Sequence, residues 1–143
     1  MNSFCDNIAY NLGYVKMVSA EPIFHEKFAH MFPQFADIIS ELMLQLEARP
    51  TRQSLTENSV EYATNIELFA DLKREVDKYR EEIFRVIDVA DINNDIEAKI
   101  AMEDFSKTFL NYVNQVNVWN KKAQEYGDCV EKFDKDFHTF TFI

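Results

Sequence analysis

Glycine occurs only twice in 143 residues, at Gly13 and Gly127, and proline only three times. Two glycines cannot build a phosphate-cradling P-loop, a dinucleotide fingerprint or a Gly-x-Ser-x-Gly elbow, so those motifs are excluded, though not enzymes in general. The same shortage speaks against a turn-rich β-sandwich or barrel. Cysteine is also scarce. Cys5 and Cys129 lie near opposite ends, do not make a disulfide framework, and read as free thiols of a reducing compartment. Basic residues number 15 against 25 acidic ones, a net charge of −10. A chain without a basic stripe is not expected to bind nucleic acid directly. No segment offers the ~18 uncharged apolar residues a membrane span needs, so no insertion is expected. Met1 to Tyr14 carries Asp6 and no basic start, unlike a secretory signal, and a cytoplasmic location is expected.

What is abundant is apolar and aromatic: 47% of residues are hydrophobic, with 13 Phe, 6 Tyr and 1 Trp. That is enough for one core, and residues 1–143 read as one domain. Met102, Phe105, Phe109, Tyr112, Val116, Trp119, Ala123, Tyr126, Val130, Phe133 and Phe137 follow steps of three and four without a break. This spacing puts all of them on one face of a helix, expected over about 95–137, with Gly127 as the place for a bend or an early end. A second line, Tyr62, Ile66, Phe69, Leu72, Val76, Tyr79, Ile83, Val86 and Ala90, predicts a helix over about 58–90. Ser54 with Glu57, or Asn58 with Glu61, offers it a capping box. Between the lines, Asp91-Ile92-Asn93-Asn94-Asp95 reads as a tight turn. A single long helix with a stutter is the alternative.

Ahead of the pair, Phe4, Ile8, Leu12 and Val15 suggest a helix over about 3–19. Phe24, Phe28 and Met31 suggest a short one after Pro22. Phe35, Ile38, Ile39, Leu42 and Leu46 form a face after Pro33, ended by Pro50. A loop near 49–57 follows. The expected fold is therefore all-α: an antiparallel bundle on a long helical hairpin, packed by two or three shorter N-terminal helices.

A search for chemistry returns little. Glu21 precedes His25, and Glu26 precedes His30, by four residues rather than the three a di-iron bundle uses. On an α-helix His25 and His30 stand ~140° apart and do not converge. They read as surface histidines with i, i+4 glutamate partners. Asp91-x-Asn93-x-Asp95 opens like a calcium loop, yet Ile96 and Met102 occupy the required glycine and carboxylate positions. Cys129 stands between Asp128 and Glu131, without the neighbouring cation a thiolate nucleophile needs. No catalytic, cofactor or metal residue is assigned, and no cofactor is expected.

Three features point to interaction instead. Asp88, Asp91, Asp95, Glu97, Glu103 and Asp104 oppose the single base Lys99, a net charge of −5 in 17 residues at the hairpin tip. Such a tip would attract a basic protein surface. The tail residues Phe137, Phe140, Phe142 and Ile143 are apolar for a terminus and could dock on the bundle, a partner or a second copy. Residues 108–120 carry no charge, and Tyr112, Asn114, Asn117 and Trp119 could line a ligand pocket. The leading expectation is a non-enzymatic interaction or regulatory bundle that binds another protein, with a homodimer as a further option. A small-ligand sensor with its pocket near Trp119 is the first alternative. A ferritin-like or oxidase-like metal bundle using Glu21, His25, Glu26 and His30 is the second.

Overall fold

A computed structural model describes all 143 residues, and every regular element in it is helical. In chain order these are α1 (Asn2–Tyr14), α2 (Ala20–Phe24), a π turn (His25–Ala29), α3 (Met31–Gln45), α4 (Asn65–Ile92), α5 (Ile96–Tyr126), α6 (Val130–Asp136) and a 3₁₀ turn (Phe137–Phe140).

The α4–α5 pair is the antiparallel hairpin, ~42 Å and ~46 Å long at 1.5 Å per residue. Asn93, Asn94 and Asp95 reverse the chain, so the single-helix alternative falls. Asn94 takes φ 55°, a left-handed value that Asn tolerates. Asp95 caps α5 by accepting from Ala98 N at 3.1 Å. The register follows: Phe69 meets Trp119 (6.3 Å) and Tyr79 meets Phe109 (5.1 Å), each pair equidistant in sequence from Asn94.

The last helix is not continuous to residue 137. It ends at Tyr126, because Gly127 takes φ 53°, ψ −120°, the first central position of a type II′ turn. Cys129 N closes that turn on Tyr126 O at 3.0 Å. The chain folds back as α6, and Phe137 stacks on Trp119 with ring centroids 5.0 Å apart. The apolar stripe thus continues across the break: Phe133 and Phe137 on the returning segment meet Phe69, the ring that Trp119 also meets.

The start of α4 is also later than expected. Thr64 caps it, Oγ1 accepting from Glu67 N at 3.2 Å, while the Glu67 carboxylate accepts from Ala63 N at 3.2 Å. Residues before it are drawn off as an extended strap across α1. Asn7 and Asn11 donate to Val60 O at 2.9 and 3.1 Å, and Tyr62 N donates to Asn11 Oδ1. The connection therefore runs from 46 to 64 rather than 49–57.

α1 ends at Tyr14, not 19, in a Schellman motif with Lys16 at φ 64° and Met17 N donating to Leu12 O. The core is ring on ring: Phe24, Phe28, Phe32 and Phe35 meet Trp119, Phe109 and Tyr112. Each such pair adds ~0.5–1.5 kcal/mol beyond its buried area. Asp134 reaches from α6 to cap α2, accepting from Ser19 N and Ala20 N at 3.1 and 2.8 Å. No helix is long and apolar enough to cross a membrane.

Candidate functional site

The hairpin end is built from the last two turns of α4 and the first two of α5. All residues from Asp91 to Glu97 are exposed. Asp88, Asp95, Glu97 and Asp104 face solvent, and Glu103 is half-buried. Lys99 bonds Asp91 at 2.7 Å, and that hydrogen bond, with the carboxylate's charge, raises the lysine pKa above its ordinary value. Lys107 lies 3.4 Å from Asp104. Asp88, Glu97 and Glu103 have no basic group within ion-pair distance. The same end displays aliphatic side chains that the acidic pattern alone does not reveal. Ile92 is 78% exposed, Ile96 67% and Ile100 54%, with Val86 and Val89 beside them in sequence and also exposed.

The tail is docked on its own bundle. Phe137 is buried, and Phe140 and Ile143 are partly buried. Gln115, fully buried, donates to Phe140 O at 2.8 Å and accepts from Phe142 N at 2.7 Å. Trp119 Nε1 donates to Thr141 Oγ1 at 3.1 Å. Of the four tail residues Phe142, 60% exposed, is the most open to another molecule.

The four residues named around Trp119 do not face one common space. Trp119 is fully buried among Phe24, Phe28, Phe69 and Phe137. Asn114 and Asn117 face solvent on the opposite side of α5. Tyr112 is half-buried against Phe35 and Phe28, and burial raises its phenol pKa. A cleft of about 410 Å³ lies elsewhere, between α1 and the strap, lined by Tyr10, Tyr14, Asn7, Asn11, Asn58 and Tyr62 among others. Nothing in the periodicity points to it, because the strap is irregular chain.

The histidines depart most from expectation. His25 and His30 converge, their ring centroids 4.2 Å apart. The π turn is the reason. His30 N donates to His25 O at 3.1 Å, an i→i+5 bond that places residues five apart one above the other. The turn has a local cause. Pro33 lacks the N–H that Ala29 O would receive, and its ring crowds that carbonyl. Phe24, Phe28 and Phe32, spaced by four, would drift ~80° around an ideal α-helix. The wider turn holds all three in the core. Glu26 sits against both imidazoles, its oxygens 3.8 Å from His25 Nδ1 and 3.4 Å from His30 Nδ1. One ligand atom from each of the three lies within 4.8 Å of the others. Glu21 is not part of this group. Of the cysteines, both free, Cys5 is buried, and desolvation pushes its thiol far above the usual range.

No protein-family model, curated protein or solved structure matches this chain.

Proposed function

We propose that the protein is an interaction module whose hairpin end docks on a basic, partly apolar surface of another protein. One observation carries this reading. The α4–α5 end presents Ile92, Ile96 and Ile100 to solvent beside the unpaired carboxylates of Asp88, Glu97 and Glu103. Burying an aliphatic side chain of this size is worth ~1.5–3 kcal/mol, which the isolated fold forgoes at all three isoleucines. The carboxylates supply attraction at a distance, the isoleucines supply contact area, and the rigid helical pair holds both in place. A partner with lysines or arginines around an apolar patch is the complementary chemistry.

The experiment is native mass spectrometry of the protein isolated from its own host at gentle ionic strength. The wild-type chain and two variants are compared: Asp88→Asn with Glu97→Gln and Glu103→Gln, and Ile92→Ser with Ile96→Ser. The expected result is one defined complex with a basic protein, weakened by salt and lost in both variants. A complex that persists unchanged in both variants, or a bare chain throughout, overturns the reading.

A further inference from the structure

We propose that His25, Glu26 and His30 form a surface site for a divalent first-row transition metal, with zinc the best chemical fit. Two imidazole nitrogens and one carboxylate oxygen are a recognised zinc donor set, which leaves further coordination positions to water. Zinc holds such donors at ~2.0–2.2 Å, so tetrahedral ligands stand ~3.3 Å from one another. The Glu26 oxygens lie 3.4 and 3.8 Å from the two Nδ1 atoms. These separations are longer than a good N–H···O bond. They are close to what two ligands of one ion require.

The backbone prepares the group. Only the i→i+5 turn puts both imidazoles on the side of Glu26, and such turns are frequent at functional sites. Phe24, Phe28 and Phe32 are buried and anchor the π turn and its flanks in the core, so only side-chain torsions remain to be fixed on binding. The imidazoles are not committed elsewhere. By contrast His138, the third histidine, has its Nδ1 2.9 Å from Lys135 O. All three donors are partly exposed, so the ion enters without rearrangement of the bundle. The site is open to solvent and excludes no water, so it is assigned as a binding site and not as a reaction centre.

The test titrates the full chain with zinc chloride in a non-coordinating buffer, by calorimetry and by the ring-proton NMR signals of the three histidines. Saturable one-to-one binding is expected, with the His25 and His30 signals moving and His138 unmoved. His25→Ala and His30→Ala should each weaken binding by at least about tenfold, since even changes to groups behind the ligands cost about 10–100-fold. Cys129→Ser should leave it unchanged. Thermal melts of the metal-free variants confirm that each is folded. Absence of saturable binding overturns the proposal. So does binding indifferent to both histidine variants, or a zinc shift that reaches His138 equally.

Discussion

Asp134 shows how much one polar side chain contributes to this fold. It is buried, and its two oxygens accept from the first backbone donors of α2, 114 and 115 residues earlier in the chain. An α-helix leaves its first N–H groups unpaired, and a carboxylate there is favoured by hydrogen bonding and by the helix dipole. Replacing Asp134 by Ala leaves the buried Ala20 N–H without an acceptor and returns the Ser19 N–H to water, a loss of ~1–3 kcal/mol. Asp134→Asn keeps one acceptor oxygen and should lose clearly less. Urea unfolding reads both: the midpoint falls in that order while the slope stays constant, because the buried surface is unchanged. Gln115 has the same character. It is the one amide fully inside the core, and its role is to receive the tail at Phe140 and Phe142. Neither role is legible in the sequence, since each polar group's partner is far along the chain and no local pattern marks it.

At the scale of elements, the hairpin and its apolar stripes could be read directly, because a period of 3.6 sustained over 28 and 31 residues leaves little ambiguity. Helix ends were harder. The usual flag is a glycine just past the last turn, yet α1, α3 and α4 end on Lys16, Glu47 and Asn94 at positive φ. The chain has only two glycines to spend, and the one at a helix end, Gly127, marked a true break. The π turn is hidden for a related reason: an α-helix turns about 100° per residue and sets His25 and His30 apart, and the wider turn follows from Pro33 together with the packing of Phe24, Phe28 and Phe32 against rings far along the chain. Opposite signs are therefore expected for two exchanges. Lys16 is exposed and left-handed, so Lys16→Gly relieves strain and raises stability by ~0.5–1 kcal/mol after the added unfolded-state entropy. Gly127→Ala loses ~1–3 kcal/mol from backbone strain alone, since an added Cβ meets nothing closer than Gln124 O at 4.0 Å. Chemical denaturation of both variants checks the pair. Equal signs would mean that the helix-end geometry does not control these positions.

For the molecule as a whole, charge and aromatic content act together at alkaline pH. The chain already carries −10 near neutrality, and ionising phenols add to that. Four of its six tyrosines resist. Burial raises the phenol pKa of Tyr62, Tyr79 and Tyr112. Tyr126 is raised first by its 2.7 Å hydrogen bond to Asp136 and then by burial. Tyr62 also donates to Asp71. In each case the folded state holds the proton more tightly than the unfolded chain does. Below the unfolded phenol value of ~10 both states are protonated, so this contribution to stability is fully present. Above it the unfolded state releases protons that the native state keeps, so stability falls as pH rises through the folded values. Tyrosinate absorbance and far-ultraviolet circular dichroism, followed together from pH 8 to 13, test the argument. A late group of phenols should ionise only as helicity is lost, and the loss should come at lower pH in dilute salt, where carboxylate repulsion is least screened. If all six phenols ionised in one step near pH 10 with helicity intact, the four rings would be more open to water than their place in the bundle allows.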